Sequence, residues 1–117
     1  MYNYFLGGKE HYPVDRIAAE EALSVVPQGR RIALANRYFM ARAVEQMAEH
    51  GIDQFIDLGT GIPASPSVHE TAREAHADAR IVYVDNDPVV TTHNRALLAA
   101  REGIAVVHGD IRQPEAV

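Results

Sequence analysis

Three aspartates in the second half of the chain stand where short apolar segments end. An ionised carboxylate only accepts hydrogen bonds, so Asp57, Asp85 and Asp110 suit ligand groups that donate them, such as an ammonium or two vicinal hydroxyls. Open parallel sheets bind ligands at the carboxyl ends of their strands, and three consecutive strands would bring these side chains to one crevice. Aspartate is also common in turns and at helix N-caps, and Asp87 fits a cap. The position at a strand end favours a ligand role for Asp85.

A glycine turn belongs to the first of these segments, in the stretch Phe55-Ile56-Asp57-Leu58-Gly59-Thr60-Gly61. Gly59 and Gly61 permit positive φ, and a backbone without Cβ atoms can approach a ligand closely. Asp85 follows Gly61 by 24 residues (85 minus 61), near the offset of about 20 at which an acid meets the ribose hydroxyls of an adenosine cofactor. We interpret this turn as the floor of a nucleotide-cofactor site.

Two cofactor classes fit this plan, and they differ in what they require of the turn. A nicotinamide or flavin cofactor would place its pyrophosphate on backbone N–H groups where a helix begins, in the G-x-G-x-x-A stretch at 59–64. Pro63 has no N–H group, which argues against a dinucleotide. S-adenosylmethionine has no phosphate and offers an ammonium, a carboxylate, a ribose diol and an adenine. Carboxylates before the turn and after the second and third strands suit it better.

The periodicity of apolar residues predicts the elements that position these side chains. Two helices are expected first, at 14–26 and 30–50, and strands then alternate with helices, the strands lying at 52–58, 80–85 and 104–108. This order predicts an α/β fold, a Rossmann-like doubly wound parallel sheet truncated to about three strands, with an amino-terminal helical cap. We divide the chain into a helical cap or lid region at 1–51 and a partial cofactor-binding region at 52–117.

Each helix is expected to turn one apolar stripe toward the core. On the long helix this stripe comprises Ile32, Ala35, Phe39, Ala43 and Met47, and on the last helix it comprises Val89, His93, Leu97 and Ala100. The helix between the first two strands is predicted to begin with N-cap, N1-proline and capping-box residues from Ser65, Pro66, Ser67 and Glu70. His69 and His76 are expected on its solvated face.

The composition limits the partners and the location of the protein. The chain has 117 residues, no cysteine and a formal net charge of -5. A negative net charge argues against nucleic-acid partners and anionic membranes, because both need clustered Lys and Arg. No apolar run approaches the length of a spanning helix, no signal peptide is recognisable, and the lack of cysteine fits a reducing compartment, so we expect a cytoplasmic protein. No histidine pair or carboxylate cluster has the spacing of a metal site.

The predicted topology leaves one edge of the first strand bare. Right-handed crossovers place the second and third strands successively on one side of it. Exposed strand edges pair readily with other chains. The sequence therefore predicts a homo-oligomer formed through the exposed sheet edge.

Three motifs resemble the successive cofactor motifs of class I S-adenosylmethionine-dependent methyltransferases. They are the glycine turn at 55–61, Val82-Tyr83-Val84-Asp85-Asn86-Asp87-Pro88, and Gly109-Asp110-Ile111. More narrowly, Tyr4-Phe5-Leu6-Gly7-Gly8-Lys9, Ala35-Asn36-Arg37 and the stretch at 59–63 resemble a bacterial methyltransferase family long catalogued as a domain of unknown function. The resemblance extends over nearly the whole chain.

The resemblance implies S-adenosylmethionine as cofactor and methyl transfer to an acceptor that the sequence does not identify. The implied site residues are Asp57, Gly59, Thr60 and Gly61 for the methionine end, Asp85 for the ribose, and Asn86, Asp110 and the Ile111 N–H for the adenine. Family members have further strands after the third, so the chain resembles an amino-terminal part. The alternatives are an inactive S-adenosylmethionine-binding or interaction fragment and, with Pro63 against it, an NAD(P)-binding oxidoreductase fragment.

Overall fold

The computed structural model describes residue 6 and residues 13–62, 64–98 and 100–117. Two helices come first, α1 (Pro13–Val25) and α2 (Gly29–Glu49). The elements that follow are β1 (Gln54–Leu58), α3 (Val68–Ala75), β2 (Arg80–Asp85), α4 (Pro88–Leu97), β3 (Ile104–His108) and a short 3-10 helix, Pro114–Ala116. The predicted order of elements is confirmed, although β1 begins two residues later than expected. Most of the amino-terminal lid segment, and Pro63 with its bearing on a dinucleotide, lie outside the described residues.

The strands form one parallel sheet in the order β1-β2-β3. Phe55 lies beside Ile81 and Ile81 lies beside Ile104, so these side chains share one face of the sheet. Because side chains alternate along a strand, Ile56 and Val82 belong to the opposite face. The carboxyl ends of all the strands meet at one edge, as the sequence predicts.

The core lies between one face of the sheet and the helices. Its buried side chains come from α2, α3, β2, β3 and the segments that flank them: Val44, Val68, Ala72, Ala79, Ile81, Tyr83, Leu98 and Ile104. Fully burying an aliphatic side chain of this kind contributes about 1.5–3 kcal/mol, so this cluster is the main attachment of the helices to the sheet. Helices α2 and α3 therefore contribute to one core on one side of the sheet, in a Rossmann-like α/β fold.

The opposite face of the sheet is open over β1. Ile56 is 67% exposed, and Leu58 and Ala105 are exposed as well. Among the described residues β1 pairs only with β2, so its outer edge has no strand partner. The bare edge expected from the sequence is present in this part of the chain.

The inward face of α2 differs from the predicted stripe. Ala33, Val44 and Ala48 are buried, whereas Phe39 is 65% exposed and Ile32 is exposed. The helix packs mainly against α3. Alanine on the contact face lets two helices approach closely, whereas the larger predicted side chains would hold them apart. The prediction was wrong because α2 has apolar residues on two rows, and only packing selects between them.

The inward face of α4 is also rotated from the predicted one. Asn94 and Leu98 are buried, whereas Leu97 is 50% exposed. Asp87 caps the helix, its carboxylate accepting a hydrogen bond from the Val89 N–H at 2.9 Å. The predicted stripe from Val89 is therefore displaced by one residue, which on a helix is a rotation of about 100°.

The start of α3 confirms the capping signal but corrects its register. The Ser67 hydroxyl accepts a hydrogen bond from the Glu70 N–H at 3.3 Å, so Ser67 is the N-cap. Pro66 precedes the cap and is not the predicted N1 residue. The Glu70 carboxylate accepts from the Ser65 hydroxyl at 3.1 Å. Among the described helices, none combines the length and apolarity needed to cross a bilayer.

Candidate functional site

The glycine turn after β1 folds over the carboxyl end of β2. Gly59 and Thr60 both donate their N–H groups to the Val84 carbonyl, at 2.8 and 3.1 Å. Gly59 has φ 75° and Gly61 has φ 71°, in a region that residues with a side chain rarely adopt. A Cβ added to either glycine would meet nothing within 4 Å. The turn therefore needs glycine for its backbone conformation, and the space above it is open to a ligand.

The carboxylate of Asp85 joins this turn to the turn after β2. Its Oδ2 accepts from the Gly61 N–H at 3.0 Å and its Oδ1 accepts from the Asp87 N–H at 2.9 Å. An ionised carboxylate has about four lone-pair positions, so each oxygen keeps one for a ligand hydroxyl. Asp85 thus links the glycine turn to the turn after β2 by hydrogen bonds, and it remains an available acceptor at the strand end.

Asp57 lies on the face of the sheet that the helices cover, beside Tyr83 in the strand register. Burial raises the pKa of the Asp57 carboxyl, the Arg37 guanidinium acts in the opposite direction, and the Asp85 charge raises it further. A carboxylate in this position gains from a cationic ligand group, because such a group would offset the lost hydration.

A cavity of about 180 Å³ lies beneath the glycine turn, between the sheet and the helices. The side chains around it come from β1, the glycine turn, α2, α3, β2 and α4, and include Arg37, Asp57, Thr60, Ser67, His69, Tyr83 and Asn94. Of the residues predicted for the site, it contains Asp57 and Thr60.

Arg37 and Asn94 are cavity residues to which sequence reasoning gave no role. Arg37 Nη2 donates to the Ala64 carbonyl at 2.6 Å, and Asn94 Nδ2 donates to the Gly61 carbonyl at 3.2 Å. Both side chains therefore support the turn that follows β1. Arg37 appeared in the sequence only within a family motif. Asn94 lies one residue beyond the predicted inward position His93, and a polar residue on a buried helix face was the signal available for finding it.

His69 is buried under the cavity, which contradicts its predicted place on a solvated helix face. His69 is 3% exposed, and its ring Nδ1 lies 2.6 Å from the Tyr83 hydroxyl. The backbone N–H of His69 donates to the same hydroxyl at 3.0 Å. Its Nε2 lies 3.3 Å from Arg101 Nη1, which can only donate, so the neutral ring carries its proton on Nδ1. Burial is the main reason that the pKa of His69 is lowered. This pair fixes α3 on β2 and leaves no histidine of α3 free to act as a base.

The residues that the sequence predicts for the adenine stand on turns at the strand ends. Asp110 forms an ion pair of 2.6 Å with Arg112, whose hydrogen bonds lower the pKa of the Asp110 carboxyl to about 2. Ile111 and Asn86 are exposed. The Gly109 N–H donates to the Asp85 carbonyl at 3.0 Å, which brings the turn of Asp110 beside the end of β2. These residues form a rim near Asp85 and are not part of the enclosed cavity.

A larger concavity of about 790 Å³ lies at the other end of the sheet, around the amino ends of β2 and β3. Its residues include Asp78, Arg80 and Gly103, and it contains none of the predicted site residues. Parallel sheets bind ligands at the carboxyl ends of their strands, so we assign the site to the smaller cavity and the open turn above it. In the part of the chain that the structure describes, no cluster of His, Cys, Asp and Glu could hold a metal ion.

Comparisons with known proteins agree with this geometry. The structure resembles a candidate methyltransferase from Thermobifida fusca YX, with a TM-score of 0.92 and 45% identity over 97% of this chain and 43% of that one. It also resembles a DUF574 family protein from Streptomyces avermitilis MA-4680, with a TM-score of 0.90 and 43% identity over 98% of this chain and 45% of that one. This chain thus spans less than half the length of either. No match was found among curated proteins.

The family comparison covers the whole sequence. The profile of the S-adenosyl methyltransferase family matches residues 1–117, and S-adenosylmethionine is the cofactor that this family name implies. The match favours neither the inactive S-adenosylmethionine-binding or interaction fragment nor the NAD(P)-binding oxidoreductase fragment. With a Rossmann-like sheet, a glycine turn over its carboxyl end and this profile match, the chain belongs to the S-adenosyl methyltransferase family.

Proposed function

We propose that this chain supplies the cofactor-binding half of an S-adenosylmethionine-dependent methyltransferase acting on an acceptor still to be identified. The single observation that supports this most strongly is the hydrogen bond from the Gly61 N–H to Asp85 Oδ2 at 3.0 Å. It holds an open glycine turn against a carboxylate that keeps lone pairs for a ribose diol. The lack of cysteine fits a reducing compartment, and we propose a cytoplasmic location.

The residues at the site fit the cofactor in its separate parts. Asp57 with the backbone of Gly59, Thr60 and Gly61 would hold the methionine end, and Asp85 would hold the ribose. Asp110 and the Ile111 N–H would hold the adenine edge, with Asn86 beside the ring. The fit is supported by the free space above both glycines and by the buried polar atoms below them.

The cofactor, when bound, supplies a methyl group on a sulfonium that is ready to transfer. The chain's own contribution is to orient the ligand so that a nucleophile can approach in line, which is the principal requirement of such a transfer. None of the carboxylates of the site is assigned as a base, and His69 is held in the core by Tyr83. Any group that deprotonates the acceptor is therefore expected to accompany the acceptor site.

Calorimetric titration with S-adenosylhomocysteine tests the proposal, with NAD as the comparison ligand. Gly61→Ala places a methyl group in the open space of the turn at φ 71°, whereas Gly51→Ala is a matched control at φ 93° after α2, also with nothing within 4 Å of the added Cβ. Both substitutions impose backbone strain of about 1–3 kcal/mol. We expect Gly61→Ala to abolish binding and Gly51→Ala to preserve it. Saturable NAD binding without a response to S-adenosylhomocysteine would contradict the assignment.

A further inference from the structure

The carboxylate of Asp110 is occupied by one neighbouring residue, Arg112. Its Oδ1 accepts from the Arg112 backbone N–H at 2.9 Å and from Nε at 3.0 Å, and its Oδ2 accepts from Nε at 3.0 Å and from Nη2 at 2.6 Å. An ionised carboxylate has about four lone-pair positions, and these four contacts use them all. A ligand must therefore displace the Arg112 side chain before it can donate to Asp110.

The backbone of this turn orients the Asp110 carboxylate without help from the guanidinium. The Asp110 carbonyl accepts from the Gln113 N–H at 2.9 Å, which closes a tight turn, and the Arg112 N–H binds the Asp110 side chain within it. Aspartate commonly binds a backbone N–H two residues later in this way. The Arg112 side chain is 81% exposed, whereas that of Asp110 is 25% exposed. The guanidinium can thus move into solvent while the carboxylate stays in place.

The Asp110 carboxylate is ionised at neutral pH with or without the guanidinium. The hydrogen bonds from Arg112 lower the pKa of the Asp110 carboxyl to about 2, and its ordinary value is 3.8. An exposed ion pair gives only a small net stabilisation, because water competes for both charges and the long side chain loses freedom. Removing the guanidinium therefore frees an intact acceptor with little effect on the fold.

We propose, on the basis of the proposed function, that Arg112 competes with the amino group of adenine for the Asp110 carboxylate. In the free chain the guanidinium occupies the acceptor, and in the complex the amine takes its place while the guanidinium moves into solvent. Each binding event must break this ion pair, so Arg112 lowers the affinity for the cofactor and weakens the selection of adenine over purines without an amino group. Arg112 is thus a specificity-determining residue that acts through Asp110.

Two ligands that differ in one amino group test this inference. S-adenosylhomocysteine carries the 6-amino group, and its purine analogue carries hydrogen at that position. We expect Arg112→Ala to raise the affinity for S-adenosylhomocysteine about two- to fivefold, the range typical of an exposed ion pair, and to leave the affinity for the analogue unchanged. Calorimetric titration measures both affinities. A residue that merely supports the turn would not increase the affinity when its side chain is removed.

Three further variants serve as controls. Arg16→Ala removes an arginine that is also exposed and ion-paired, with Glu20 at 3.5 Å on α1, and should leave both affinities unchanged. In an Asp110→Ala chain the contested acceptor is gone, so replacing Arg112 as well should give no further gain. Arg112→Lys keeps the charge but not the forked N–H groups, and its gain should be smaller. If Arg112→Ala does not fold, Arg112→Lys takes its place in the test.

Each result separates this inference from the proposed function. An unchanged or lower affinity of Arg112→Ala for S-adenosylhomocysteine would overturn the inference, because Arg112 would then stand apart from the adenine or assist its binding. An equal gain for both ligands would also overturn it, since the amine would not be the competing group. In these cases the unmodified chain still binds S-adenosylhomocysteine, and the proposed function stands. Failure of both ligands to bind the folded chain would overturn both proposals.

Discussion

Replacing Asp85 with alanine tests how one carboxylate serves two purposes. The side chain accepts from Gly61 N and Asp87 N at 3.0 and 2.9 Å, and its remaining lone pairs face the open strand end. Asp85→Ala removes the hydrogen bonds that link the two turns as well as the proposed ribose acceptor. The free chain should therefore become less stable, and it should also bind S-adenosylhomocysteine less tightly.

The two effects have separate magnitudes. Hydrogen bonds from a ribose diol to a charged acceptor contribute about 1.5–3 kcal/mol, so the dissociation constant should rise about ten- to a hundredfold. Loss of the two internal bonds should lower the free energy of unfolding by about 1–3 kcal/mol, since Asp85 is half-buried and water replaces part of each bond. For a domain of this size that corresponds to a fall in Tm of roughly 4–12 °C.

Urea unfolding of the free chain and calorimetry with S-adenosylhomocysteine measure the two effects independently. Asp87→Ala is the matched control, because this neighbouring carboxylate caps α4 through the Val89 N–H at 2.9 Å. Losing an N-cap costs about 1 kcal/mol of stability. Asp87→Ala should therefore destabilise the chain to a similar degree without changing the dissociation constant.

A folded Asp85→Ala chain with an unchanged dissociation constant would exclude Asp85 from the cofactor site and leave it only the structural role of linking the two turns. Equal losses of affinity in Asp85→Ala and Asp87→Ala would show that stability alone controls binding. Unchanged stability in Asp85→Ala would contradict the hydrogen bonds from which both magnitudes are worked.

Three further predictions concern other parts of the molecule. Burial raises the pKa of Asp57 above its ordinary 3.8, so the ionised carboxylate destabilises the fold at pH 7. The loss of folding stability begins as the pH rises through 3.8, where the unfolded chain ionises, and is complete above the folded-state pKa. Asp57→Asn should therefore raise the urea midpoint at pH 7, with a difference that vanishes below pH 3.8, and a lower midpoint at pH 7 would contradict the burial argument. Arg112→Ala should raise the pKa of the Asp110 carboxyl from about 2 toward 3.8 in an NMR titration, and an unchanged pKa would mean that the Arg112 side chain is not its cause. If the exposed sheet edge at β1 drives self-association, Ile56→Glu on that strand should shift the chain to a monomer in size-exclusion chromatography, whereas Ile17→Glu on α1 should not; a monomeric unmodified chain would contradict the predicted homo-oligomer.

The sequence by itself determined the features that depend on neighbouring residues. The capping aspartate at 87 fixes where α4 begins, because its side chain accepts from an N–H within the first turn. The serines at 65 and 67 predicted a cap for α3, and the structure shows that Ser67 supplies it. Gly59 and Gly61 adopt positive φ, as their lack of a Cβ predicted. The alternation of apolar strands with helices then determined the parallel sheet and placed Asp57, Asp85 and Asp110 toward one end of it.

Only the tertiary structure decided which side of each helix faces the core. Helix α2 has apolar residues on two rows, and the sequence favoured the row with Phe39, whereas packing buries the row with Ala33 and Ala48. Helix α4 is likewise rotated from its predicted orientation, which buries Asn94 in place of Leu97. Periodicity measures how apolar a stripe is, whereas packing selects the stripe whose shape fits the neighbouring helix.

The cavity beneath the glycine turn depends on that choice. Arg37 and Asn94 are 57 residues apart (94 minus 37) and meet only because α2 and α4 pack on the same face of the sheet. The burial of His69 against Tyr83 likewise depends on a partner from another element. Hydrogen bonds between distant segments leave no local pattern in the sequence, so the residues that support the turn became visible only once the helices were in place.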